Sequence, residues 1–178
     1  MYIYIIILFI IVLFLNIISS SKVKIKAECL LKNPYTPLPD LIHNIIPKIP
    51  TKIPDYFLFI CIFITIFNYK TLLNIKKNLL CISLCFIVRS FSVFLTIMPT
   101  CMEKPKKISN IYDKIFLSTH DLMFSGHSLF FIGIGNMLNS YLIKYLGALL
   151  LIISRQHYTI DVFVSGLVYF FVYTNIKN

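Results

Sequence analysis

The stretch LLCISLCFIVRSFSVFLTIM, from Leu79 to Met98, holds one charged residue, Arg89, and neither Pro nor Gly before Pro99. As a helix it would be about 30 Å long, close to the thickness of a bilayer's hydrocarbon core. Its apolar residues do not alternate with polar ones, so a barrel strand is excluded. A charge placed mid-way in such a run is expensive unless it is paired or faces a polar cavity. Arg89 therefore marks either a polar partner within the span, a helix carbonyl for example, or a wet pocket that holds a phosphate or carboxylate.

The same character extends in both directions. Further apolar runs cover Met1–Ile18, Tyr56–Leu73, Leu122–Leu138, Tyr141–Ser154 and Ile160–Thr174. Hydrophobic residues make up 58% of the 178 residues and charged ones 13%, and the mean hydropathy is +0.82. A soluble domain of this size could not hide so much apolar surface, whereas a bilayer solvates it directly. The expected fold is all-α, a polytopic membrane protein of about six transmembrane helices in one bundle. The expected division is a first helix over 1–18, a Pro- and Lys-rich connector over 19–54 and a catalytic membrane unit over 55–178.

The first run lacks a preceding Lys or Arg and exceeds the usual core of a signal peptide, which favours a retained helix. Ser19, Ser20 and Ser21 keep cleavage open as the alternative. The connector after it contains Pro34, Pro37, Pro39, Pro47, Pro50 and Pro54 and is read as non-helical. Asn74–Asn78, with Lys76 and Lys77, reads as a tight polar turn.

The net charge of +10 raises nucleic acid as a partner. The lysines lie in short connectors, though, where they meet water and anionic head groups, and no basic helix face interleaves with aromatic residues. Nucleic acid is excluded as a partner on this ground. Six spans would place the connectors around Pro39, Pro99–His120 and Arg155–Tyr158 on one membrane face. The positive-inside rule turns that face to the cytosol. The general richness in lysine is the other source of the bias, and charge does not choose between them. Cys61, Cys81 and Cys85 fall in apolar runs and read as packing residues. Cys29 and Cys101 lie in connectors on one side, where a disulfide is possible but not deducible.

Two short segments on the shared face carry chemistry. In Phe124-Ser125-Gly126-His127-Ser128, a histidine opens an apolar run, Gly126 lets a ligand approach the backbone, and the helix start offers free N–H groups to a phosphate. Alone, it reads rather as a structural polar kink. In Arg155-Gln156-His157-Tyr158-Thr159-Ile160-Asp161, His157 and Asp161 share a helix face, so the carboxylate can fix the imidazole tautomer. Arg155 offers a fork-shaped cation for phosphate oxygens. A structural His–Asp pair at a helix cap is the alternative.

Together these segments resemble the sphingomyelin synthase family, within the superfamily of type 2 phosphatidic acid phosphatases. That family has a segment close to Cys-Gly-Asp-x-x-x-Ser-Gly-His-Thr, matched here by Thr119-His120-Asp121-Leu122-Met123-Phe124-Ser125-Gly126-His127-Ser128. Its His-Tyr-Thr-x-Asp-Val segment is matched by His157-Tyr158-Thr159-Ile160-Asp161-Val162. Two looser matches agree in order: Pro37-Leu38-Pro39-Asp40, and Arg89 with Thr96 and Pro99. The Cys-Gly pair and the closing Thr are replaced, which leaves head-group choice open.

The resemblance implies a lipid phosphotransferase that needs no cofactor or metal. His157 would be the nucleophile, Asp161 its partner and His127 the acid and base. Arg155, Ser125, Gly126, Arg89, Tyr158 and Asp121 would surround the phosphate. The implied donor is phosphatidylcholine or phosphatidylethanolamine, and the acceptor ceramide or diacylglycerol, in a Golgi, endoplasmic reticulum or plasma membrane. The alternatives are a lipid phosphate phosphatase, disfavoured because Phe124 stands where that family has proline and no Lys-x6-Arg-Pro segment is present, and an inactive membrane homologue.

Overall fold

A computed structural model describes residues 2–31, 35–68, 71–101 and 123–176. The fold is all-helical, with no strand among the described residues. The helices are α1 (Tyr2–Leu30), α2 (Leu41–Ile45), α3 (Lys52–Phe67), α4 (Thr71–Leu95), α5 (Gly126–Met137), α6 (Tyr141–Ile153) and α7 (Thr159–Asn175).

Two helices, over Ile3–Ala27 and Ile75–Leu95, are long and apolar enough to cross a membrane. The other apolar runs form shorter helices. The 12 residues of α5 and 13 of α6 reach only about 18–20 Å at the helical rise, against about 30 Å of hydrocarbon. Six full crossings are therefore not what the described helices provide.

Two boundaries differ from the sequence reading. The connector does not start at Ser19, because α1 continues to Leu30. Three serines do not break a helix whose neighbours favour it, and Ser21 turns its hydroxyl back onto the Ile18 carbonyl. Nor is 74–78 a turn, because it lies inside α4. Lys77 reaches across to α7 to lie over the Tyr173 ring, and Asn78 accepts a hydrogen bond from the Tyr169 hydroxyl at 2.8 Å. The sequence there contains no Pro or Gly to stop the helix. The prolines of 37–50 do confine α2 to five residues, and Pro54 sits in the first turn of α3, where its missing N–H costs nothing.

The centre of the bundle is α5, which packs on α3, α4, α6 and α7. One core joins Val12, Cys81, Cys85, Phe86, Leu129 and Tyr169 from α1, α4, α5 and α7. A second joins Leu58, Cys61, Phe131, Leu151 and Val162 from α3, α5, α6 and α7. Close approach of α6 to α5 depends on Gly147, where any Cβ would strike the Phe131 ring. All five cysteines are free, and Cys61, Cys81, Cys85 and Cys101 are buried.

Candidate functional site

Helix α6 ends in a glycine-type motif without a glycine. Arg155 N–H bonds the Ile152 carbonyl and Gln156 N–H the Leu151 carbonyl, while Arg155 takes the left-handed conformation at φ 57°. For a residue with a Cβ this costs on the order of 1 kcal/mol. The turn is held by Arg155 Nη2 donating to the His43 carbonyl at 2.9 Å and by the Cys101 thiol donating to the Arg155 carbonyl at 3.0 Å. It ejects Gln156 and His157 from α6 and lets Tyr158 cap α7.

Asp161 then serves two partners. Its Oδ2 accepts from Tyr158 N–H at 3.0 Å, the N-terminal cap of α7, and lies 3.5 Å from His157 Nδ1. The two side chains expected to meet on one helix face do lie close, but His157 stands outside α7, before its cap, and its Nδ1 makes no hydrogen bond to the fully buried Asp161. Across the gap, Ser125 caps α5 by accepting from Ser128 N–H at 3.2 Å, and His127 follows in the first turn. The 124–125 backbone is stapled to α7: the Ser165 hydroxyl lies 2.7 Å from the Asp161 carbonyl and 3.1 Å from the Ser125 carbonyl.

The result is two imidazoles with ring centres 6.4 Å apart. A group held at reacting distance, about 3–3.5 Å, from a nitrogen of each ring fits a gap of this size.

A second carboxylate, which no motif of the sequence marks, completes the arrangement. Asp55, in the first turn of α3 and 2% exposed, places Oδ1 3.4 Å from His127 Nε2. Gln156 Nε2 donates to the same oxygen at 3.2 Å and also to the Thr51 carbonyl. Each histidine therefore stands beside its own buried carboxylate. An Asp at the start of a helix is common enough as a dipole partner that nothing in its spacing marked Asp55.

The remaining expected residues divide between gap and frame. Tyr158 belongs to the frame: its hydroxyl accepts from Leu38 N–H at 2.8 Å and donates to the Pro99 carbonyl at 3.1 Å. Burial, with Cys101 and two carboxylates nearby, pushes its phenol up to about 12. That one hydroxyl joins the three connectors expected to share a face. Arg89 Nε donates to the Phe124 carbonyl at 2.7 Å and Nη1 to Asn16 Oδ1, so its forks brace the turn before His127. Gly126 is packed against that guanidinium, since a Cβ there would lie 3.3 Å from Arg89 Nε. Asp121 lies outside the described residues.

Asp40 was matched only through the Pro-Leu-Pro-Asp resemblance, and it caps two helices. Its Oδ1 accepts from Ile42 N–H at 3.0 Å and from the Thr159 hydroxyl at 2.9 Å, and its Oδ2 from Thr159 N–H at 2.8 Å. Burial opposes its ionisation, but the Thr159 and His43 interactions outweigh burial and hold the carboxyl below its ordinary value. Beside it runs an open groove of about 500 Å³ lined mainly by apolar residues, among them Leu38, Met98, Ile160 and Phe163.

Among the described residues, the buried side-chain nitrogens and oxygens with no hydrogen-bond partner are His43 Nε2, Ser128 Oγ, Arg155 Nε, Gln156 Oε1, His157 Nδ1 and Asp161 Oδ1. All of them lie in or against the two histidine segments. Buried polar atoms are normally satisfied, so their concentration here sets these segments apart from the rest of the bundle.

No protein-family model matches the chain, and no curated protein matches it.

Proposed function

We propose that this protein is a membrane-embedded phosphotransferase that moves a phosphorylated head group from a glycerophospholipid to a lipid hydroxyl, ceramide or diacylglycerol. The observation that carries the reading is the facing pair His127 and His157, 6.4 Å apart, each beside a buried carboxylate. Double displacement at phosphorus needs one imidazole neutral to attack and another charged to donate. Asp161 beside Nδ1 leaves Nε2 of His157 as the attacking atom.

In the first half, His157 Nε2 forms a bond to phosphorus and the bond to the diacylglycerol oxygen breaks. His127, as imidazolium, gives its proton to that oxygen, and Asp55 steadies the cation beforehand. In the second half, neutral His127 takes the proton of the acceptor hydroxyl, whose oxygen displaces His157 from phosphorus. Arg155 Nε and the α5 N-terminus supply positive potential for the phosphoryl oxygens. The two long apolar helices support a membrane setting. The shorter apolar helices would complete a multi-pass bundle in which the lipid substrates need not leave the bilayer.

A phosphatase using the same residues is the second reading. The apolar groove beside Tyr158 and Thr159 supports transfer, because its lining suits the hydrocarbon part of a lipid acceptor. The test is incubation of purified, reconstituted protein with phosphatidylcholine and ceramide, followed by mass spectrometry of the lipids. A new phosphosphingolipid is expected. Free phosphocholine or phosphate as the main product would overturn the transferase reading.

A further inference from the structure

Helix α1 holds none of the site residues, and most of its surface is apolar and exposed. Its buried residues nevertheless form a single stripe, Val12, Asn16, Ser20, Val23 and Ala27, spaced as one helix face, and that face packs on α4. Two polar residues in the middle of such a stripe are costly within an apolar bundle unless they are bonded across the interface. Asn16 is bonded: its Oδ1 accepts from Arg89 Nη1. Arg89 in turn donates through Nε to the Phe124 carbonyl at 2.7 Å and lies against Gly126. Phe124 itself is 1% exposed. The chain of contacts ends one residue before His127.

We infer that Asn16 is a positioning residue, which aims Arg89 at the Phe124 carbonyl and so helps to fix where α5 begins and where His127 stands. The Asn16 oxygen ties Nη1 to a second helix and so restricts how the guanidinium can turn about its bond to the Phe124 carbonyl. The importance of His127 rests on the proposed function, whereas the clamp itself is a statement about geometry.

The test is hydrogen-exchange mass spectrometry of the full chain in lipid nanodiscs, read on the peptide covering 123–130. Asn16→Ala is expected to raise exchange there about tenfold while α6 keeps its protection. Asn16→Asp, which retains an acceptor opposite the guanidinium, is expected to behave as wild type. Phe14→Leu, on the exposed face of α1, serves as control. If Asn16 acts through Arg89, adding Asn16→Ala to Arg89→Met changes nothing further. Asn16→Ala indistinguishable from the control, exchange rising across the whole bundle, or full additivity with Arg89→Met would each overturn the clamp. With lipid substrates, Asn16→Ala should lower kcat about tenfold and leave KM within twofold. If exchange follows the prediction but wild type transfers no head group, the clamp stands and the proposed function falls.

Discussion

At the scale of single residues, the two carboxylates next to the imidazoles have separable tasks. His157→Ala and His127→Ala should each reduce lipid transfer at least a thousandfold, the upper part of the range for losing a nucleophile or an acid–base group, with the protein still present in the membrane fraction. Asp161→Asn and Asp55→Asn should cost on the order of 10–100-fold, because the ring stays and loses only its orienting partner. Wild-type rates in an Asp55→Asn variant would remove Asp55 from the site. Arg155 permits a separation of structure from chemistry. Arg155→Gly relieves a left-handed non-glycine residue at φ 57° while deleting the guanidinium. Transfer should fall at least tenfold with the unfolding midpoint little changed, since relief of about 1 kcal/mol offsets the lost bond to His43. Asp40 gives a pH dependence of stability. Its folded pKa is depressed, so its contribution is complete above the ordinary carboxylate value and is lost as pH falls through the lower, folded one. Asp40→Ala should lower the unfolding midpoint at neutral pH, by the roughly 1 kcal/mol typical of a helix cap, and the difference from wild type should shrink in strong acid.

At the scale of elements, α5 is held between four neighbours, and its fit against α6 leaves no room at Gly147. Gly147→Leu should overpack the Phe131 site and cost about 1–3 kcal/mol or more, visible as a lower unfolding midpoint in detergent; an unchanged midpoint would mean that the helices sit further apart. The approach of His157 to Asp161 was legible from their closeness in sequence, but not for the expected reason: His157 stands before the Tyr158 cap and not on the helix, and the turn at Arg155 brings it back to Asp161. The junction of the three connectors at Tyr158 was legible in part, since parity of the runs placed them on one face. Asp55 and Gln156 were not legible. Their meeting with His127 depends on how α3 leans on α5 and on how the left-handed turn at Arg155 throws Gln156 outward, and neither is written in local spacing. The lengths of α1 and α4 were misread for a related reason: serine, asparagine and lysine look like loop residues in composition, yet without Pro or Gly they do not stop a helix that packing extends.

At the scale of the whole molecule, the bundle is two cores joined by α5, with the polar site where the helix starts of α3, α5 and α7 converge. Asp55, His127 and Asp161 stand in the first turns of these three helices, and the unsatisfied polar atoms gather beside them. Helices α1 and α4 are long and apolar enough to cross a membrane, and under the proposed function the protein should remain in membranes after alkaline carbonate extraction. The central claim is that both imidazoles serve one phosphorus. The most direct measurement is acid-sensitive trapping of a phosphorylated enzyme: rapid quenching with labelled phosphatidylcholine in the absence of acceptor, then peptide mass spectrometry under alkaline conditions. The account predicts a head-group phosphate on His157, lost in His157→Ala and discharged when ceramide is added. Label on His127, or turnover with label on no residue, would contradict it.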